Sequence, residues 1–237
     1  MCGRTSLFLP QAVVESRFDA TYEGSLPSRY NIAPFEDLAV ITGDASDTID
    51  LFEWGFLPSW ADTPESTHRP INARSETARE SSMFGDAFEE RHCLVLVDGF
   101  YEWQDRERGG SQPYRVTKPD EEPFALAGLW EHWEDDDEDD ADVQALDTVT
   151  ILTTDANDLL EPIHDRMPVV LPPDREREWL AGNGGTSDDL LDPYAGGDLE
   201  SFPVSQAVND PANDSQAVIE PVEPDQEETQ AGLDDFA

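Results

Sequence analysis

The residue with the most distinctive chemistry in this chain is Cys2. Removal of Met1 is expected because the second residue is small, and it exposes a thiol and an α-amine on adjacent carbons. Such a 1,2-aminothiol reacts with an aldehyde in two steps. The amine (reference pKa about 7.7–8.0) condenses to a Schiff base. The thiolate (reference pKa about 8.5) then closes a five-membered thiazolidine on the same carbon. Covalent geometry preorganises both nucleophiles, so ring closure is intramolecular. The same sulfur, activated by its own amine, is alternatively an N-terminal nucleophile for amide hydrolysis. A cysteine that merely follows an initiator does neither; acid/base groups must be brought to it. Glu102 lies between Tyr101 and Trp103, and His164 precedes Asp165 and Arg166. Each also has a structural reading: a paired strand carboxylate for Glu102, an ion-pair turn for His164. Asn31 and Asn72 read equally as turn residues bonding their own backbone.

The elements that must position these groups are mostly strands. Leu38–Thr42 is a short apolar strand, and Thr48–Phe56 alternates with Phe52, Trp54 and Phe56 on one face. Cys93–Val97 is a continuous apolar run, a buried strand in which Cys93 is inert packing. Pro113–Thr117, Pro123–Trp130 and Thr148–Thr153 read as further strands, with Glu131–Asp147 as a hairpin-like excursion. Pro10–Phe18, Ser75–Glu90, Asp155–Leu160 and Pro173–Ala181 read as helices. Many strands on short connections with few helices predict an α+β fold. Its core is expected to be a curved, mostly antiparallel, barrel-like sheet with a few flanking helices. Trp54, Trp60 and Trp130 are expected in that core. The chain is expected to fold as one domain over residues 1–209. Residues 210–237, rich in Pro, Asp, Glu and Gln without periodicity, are expected to form a disordered acidic tail.

Composition bounds the rest. The 237 residues include 54 acidic and 14 basic ones, a formal net charge of −40. Thirteen of the basic residues are Arg and one, Lys118, is Lys. Self-repulsion of this size opposes compaction in dilute buffer and is screened in molar salt. A salt-rich cytoplasm, such as that of a halophilic archaeon, is the expected setting. No apolar run approaches the roughly 18 residues of a membrane span, and no secretory signal is read at the start. Two cysteines make no disulfide framework. No Cys or His pairing has metal-site spacing, and no glycine loop cradles phosphate, so neither metal nor cofactor is expected. On charge alone a nucleic-acid partner is disfavoured.

The motifs override that last inference. MCGR (Met1–Arg4), RYNIAP (Arg29–Pro34), INARSET (Ile71–Thr77) and IHDRMP (Ile163–Pro168) stand in order. WGFLPSW (Trp54–Trp60) and DGFYEW (Asp98–Trp103) lie between them, and VSQAVN (Val204–Asn209) follows. This set resembles the SRAP family (SOS response-associated peptidase), whose members shield abasic sites in single-stranded DNA by covalent attachment. The resemblance implies that Cys2 forms the thiazolidine with the ring-opened sugar. It implies that Asn72 orients, that Glu102 is the acid/base for sugar opening, and that His164 is a second acid/base tied to reversal. It further implies phosphate contacts at Arg4, Arg74 and Arg166, and apolar surfaces against bases at Pro34, Met83, Phe84 and Trp103. Ser82 and Gln104 stand where relatives commonly carry basic residues. Arg4, Arg29, Arg74, Arg79 and Arg166 remain beside the motifs, and a local basic groove is expected. The expected partner is single-stranded DNA bearing abasic sites, bound by a monomer. A cysteine peptidase and a non-covalent reader of modified bases are the rival readings.

Overall fold

In the computed structural model, residues 2–65, 67–106, 110–135, 145–182 and 188–223 are described. The strands in chain order are β1 (Thr5–Leu7), β2 (Thr21–Tyr22), β3 (Arg29–Ile32), β4 (Asp37–Thr42), β5 (Thr48–Trp54), β6 (Asn72–Arg74), β7 (His92–Val97), β8 (Gly99–Asp105), β9 (Ser111–Thr117), β10 (Phe124–Glu134), β11 (Ala145–Asp155), β12 (Arg166–Pro168), β13 (Val170–Leu171) and β14 (Glu200–Pro203). Four short helices flank them: α1 (Gln11–Phe18), α2 (Ser75–Ala78), α3 (Gly85–Glu90) and α4 (Glu176–Leu180).

Two sheets carry the architecture. In the first the order is β14-β9-β8-β1-β3, antiparallel throughout. In the second, β11-β10-β7-β4-β5 is antiparallel, and a parallel pairing of β5 with β11 (Glu53 opposite Thr148) closes five strands on themselves. The expected α+β fold with a barrel-like, mostly antiparallel core is therefore what the chain adopts. Closure explains the unbroken apolar run of β7. All six of its residues are buried, one face inside the barrel and the other under α3 and α4. Trp179 of α4 donates its indole N–H to the Cys93 carbonyl at 3.0 Å. Cys93 is fully buried, and burial pushes its thiol up, as expected of packing.

Two predicted helices differ. Over Ser75–Glu90 the chain forms α2 and α3 with turns between. The Ser81 hydroxyl accepts the Met83 amide there, and the Ser81 carbonyl accepts that of Gly85. Serine competes in this way with the helical ladder. Asp155 ends β11, and 156–160 form no helix: the Asn157 side chain accepts the Leu160 amide at 3.1 Å, and Pro162 follows. The excursion at 131–147 extends β10 and β11 on either side of residues 136–144, which lie outside the described residues.

The fold does not stop at Asn209. Residues 210–223 pack onto the first sheet, contrary to the disorder expected from composition. The Asp214 carboxylate accepts the amides of Tyr30 (2.5 Å) and Asn31 (3.0 Å) and the Arg29 guanidinium (2.5 Å). The buried Asn31 amide donates in turn to the carbonyls of Val208, Asp210 and Asn213. Val218 is buried beside Tyr101, Val204 and Val208. A few well-placed polar contacts and one apolar anchor order what composition reads as tail. Residues 224–237 of that tail lie outside the described residues. Asp214→Ala is expected to destabilise the protein by about 3 kcal/mol, since charged hydrogen bonds to two amides and a guanidinium are lost. Chemical denaturation at fixed salt measures it.

The single lysine, Lys118, is buried and ion-paired to Asp198 at 3.2 Å. No helix among the described residues is long and apolar enough to cross a membrane.

Candidate active site

Three strand pairings bring the site together. The chain before β1 continues alongside β8, where the Tyr101 amide donates to the Arg4 carbonyl at 3.0 Å. That places Cys2 beside Glu102, close enough for Glu102 to push the Cys2 thiol up further after burial. β11 carries β6 in parallel, with Ile151 opposite Asn72, and carries β12 antiparallel, with Asp155 opposite Arg166. So β11 delivers Asn72 from one side and the His164 turn from the other.

Cys2 is fully buried, and its thiol donates weakly to the Arg4 carbonyl at 3.7 Å. The Asn72 side-chain N–H donates to the Cys2 carbonyl at 2.8 Å. The Asn72 Oδ1 is buried and accepts no hydrogen bond among the described residues. An acceptor left open beside Cys2 is available to an amine or a hydroxyl. Glu102 is 1% exposed, and burial raises its carboxyl to about 7, against the opposing charge of the amino terminus. A carboxyl held there exchanges protons at neutral pH. Glu102 and His164 both line an open cleft of about 600 Å³. Gln104 ties its walls together by donating to the Pro162 carbonyl at 2.7 Å.

His164 is held by its backbone neighbour. The Arg166 amide donates to Nδ1 at 2.9 Å, while the exposed Asp165 carboxylate lies 3.1 Å from the same nitrogen. An amide only donates, so Nδ1 is the acceptor and the neutral ring carries its proton on Nε2. Burial lowers the His164 pKa and favours this form. His164 thus offers a hydrogen-bond donor at neutral pH more readily than a base.

The expected basic groove is not formed as a row of open cations. Arg166 is gripped by Glu76 (2.5 and 3.0 Å) and by Asp155 (2.7 Å), and it donates to the Thr153 carbonyl. Its fork is filled by carboxylates, so a phosphate would have to compete with them for it. Arg29 is shared by Glu36 and Asp214, and Arg79 lies 3.6 Å from Glu89. Arg4 bonds the Gly3 and Asn209 carbonyls. Arg74 is exposed at the end of β6 and makes no ion pair or side-chain hydrogen bond among the described residues. Trp103 is half-buried, its indole N–H on Asn209 Oδ1 at 2.8 Å. Asn209 thereby holds both Arg4 and Trp103, a role legible only once β8 and the late segment are seen together. Met83 and Phe84 are half-buried against the core, Phe84 edge-on to Phe56 at 5.2 Å, which leaves each only part of its surface for a base. Pro34 is half-buried in the turn after β3. Trp60, expected in the core, is 60% exposed, whereas Trp54 is fully buried.

A family model described as SOS response associated peptidase (SRAP) matches residues 1–211. The chain belongs to the SRAP family. It is 36% identical over 227 residues to the abasic site processing protein YoqW of Bacillus subtilis, covering 93% of this chain and 99% of that one. It is 29% identical to the abasic site processing protein YedK of Escherichia coli, covering 94% and 100%. Among solved structures, a protein from Bacteroides thetaiotaomicron superposes with TM-score 0.81 at 25% identity, over 94% of this chain and all of that one. One from Bordetella bronchiseptica gives 0.73 at 28%, over 86% and 100%. The SRAP relatives thus span this chain nearly end to end.

Proposed function

We propose that this SRAP protein captures abasic sites in single-stranded DNA by covalent attachment through Cys2, after removal of Met1. The observation that carries this reading is Asn72, which clamps the Cys2 carbonyl at 2.8 Å and keeps a buried acceptor open beside it. The names of the YoqW and YedK relatives support the same substrate.

The proposed steps use the groups gathered around Cys2. Protonated Glu102 helps open the cyclic hemiacetal of the abasic sugar to its aldehyde. The freed α-amine of Cys2 attacks the aldehyde carbon, and the resulting carbinolamine loses water as Glu102 protonates its hydroxyl. The Cys2 sulfur then attacks the same carbon, and its proton passes to the Glu102 carboxylate. The net change is one water lost and one thiazolidine formed. Because burial and Glu102 both disfavour a resting thiolate, the sulfur waits for the imine and loses its proton during ring closure. Asn72 orients without titrating, and His164 offers its Nε2 proton to the opened sugar.

The test is direct. Mature protein incubated with an oligonucleotide bearing one abasic site, without reductant, is expected to give a denaturation-resistant adduct. Cleavage of a peptide substrate with the DNA left free would establish the peptidase reading instead. His164→Ala is expected to slow adduct formation or its reversal about tenfold or more, whereas His164→Gln, which keeps a donor, retains more of the rate. Unchanged rates in both directions remove His164 from the mechanism.

A further inference from the structure

Phe35 is placed at a cost that its partial burial does little to offset. It follows Pro34 in the turn between β3 and β4, has φ +68°, and is 56% exposed. Left-handed backbone is unfavourable for a bulky side chain, and such outliers persist where the surroundings enforce them. Here they do. The Phe35 amide donates to the Trp54 carbonyl at 2.8 Å, which fixes the turn on β5. The ring lies against Gly55, where an added methyl would come within 3.0 Å of it. Arg69 covers the ring at 5.4 Å and is itself anchored to the Gly55 carbonyl and to Glu53. An exposed aromatic with an Arg behind it, held rigidly by its neighbours, is a preorganised surface rather than a core residue.

Its position ties it to the site. Burial lowers the pKa of the Arg4 guanidinium, and Glu36, the residue after Phe35, lies close enough to oppose that shift; Arg69 is three residues before Asn72. We propose that Phe35, backed by Arg69, is a stacking platform for an unpaired nucleobase of the strand that enters the site beside Pro34. This rests on the reading above that the substrate is single-stranded DNA. An acidic chain with few open cations must draw affinity from contacts that salt does not screen, and base stacking is such a contact.

The experiment uses the mature chain with single-stranded oligonucleotides carrying one abasic site and a fluorescent 2-aminopurine at successive flanking positions. Phe35→Gly relieves the backbone strain while removing the ring. It is expected to raise the DNA concentration for half-maximal adduct rate at least fivefold and to leave the maximal rate unchanged. It should also abolish 2-aminopurine quenching at one flanking position without lowering the melting temperature. Phe35→Trp is expected to restore both readouts. Unchanged half-saturation and quenching in Phe35→Gly, whatever its melting temperature, overturns the platform. If the wild-type protein forms no adduct, the covalent reading fails and quenching alone decides: loss in Phe35→Gly with rescue by Phe35→Trp upholds stacking, and no difference refutes it.

Discussion

Cys2→Ala is expected to reduce adduct formation on abasic-site DNA to background while leaving the melting temperature within a few degrees of wild type. The sulfur is fully buried but makes only a weak contact with the Arg4 carbonyl, so loss of one small group from this position has a modest structural effect. Its chemical effect is total, because the thiazolidine needs sulfur on the carbon adjacent to the one that bears the amine. Cys2→Ser separates the two nucleophiles. It keeps the amine, so a Schiff base trapped by borohydride is the most it can give. A heat-stable adduct from Cys2→Ser without reductant would show that the sulfur is not the second nucleophile. The assay is denaturing electrophoresis of single-turnover reactions, with intact mass confirming that Met1 has been removed.

Glu102→Gln is expected to slow adduct formation about a hundredfold, the usual scale for a lost proton-transfer group. The pH dependence follows from the sign of the shift. Burial lifts the Glu102 carboxyl to about 7, so the acid form needed for ring opening and dehydration is depleted above that pH. Rising pH also frees the amine, so the wild-type rate passes through a maximum near neutrality. The glutamine variant is expected to lose the descending limb. Stability moves the opposite way. Between pH 4.5 and 7 the folded protein holds a proton that the unfolded chain has released, so stability falls as pH rises through this window. The accumulated cost is about 3 kcal/mol at pH 8. Glu102→Gln should therefore be more stable than wild type at pH 8 and equal to it at pH 4, as denaturant melts at the two values would show. A variant both slower and less stable at pH 8 would mark Glu102 as structural.

How far the sequence could be read depended on whether a residue's partners were near it. The run Cys93–Val97 and the alternation of Phe52, Trp54 and Phe56 are local patterns; the first lies in a buried strand and the second in a half-buried one that ends at Trp54. Closure of the barrel by β5 against β11 joins segments about a hundred residues apart, and no local pattern announces it. β3 and β6 are four and three residues long and carry motif residues themselves, so their alternation is too short to read. The motifs named Cys2, Asn72, Glu102 and His164 by type. That Asn72 reaches the Cys2 carbonyl, 70 residues away, or that the Arg166 amide sets the His164 tautomer depends on tertiary pairing and turn geometry that residue types do not encode. The arginine pairings were hidden in part for the same reason: Arg29 and Arg166 each share a nearer carboxylate, Glu36 and Asp155, with a distant one, Asp214 and Glu76, that stands 185 and 90 residues away. Trp60 misled because an aromatic within an apolar motif reads as core whether it faces inward or out.

The burial of Lys118, paired to the exposed Asp198, has a consequence for reactivity across the whole surface. Guanidinium groups do not form imines with simple aldehydes under mild conditions, and this polypeptide has no second lysine. Its exterior is accordingly almost blank to carbonyl electrophiles. Sugars and other adventitious aldehydes find little to modify there, and a reductively trapped label on the native protein can be traced to its amino end without mapping.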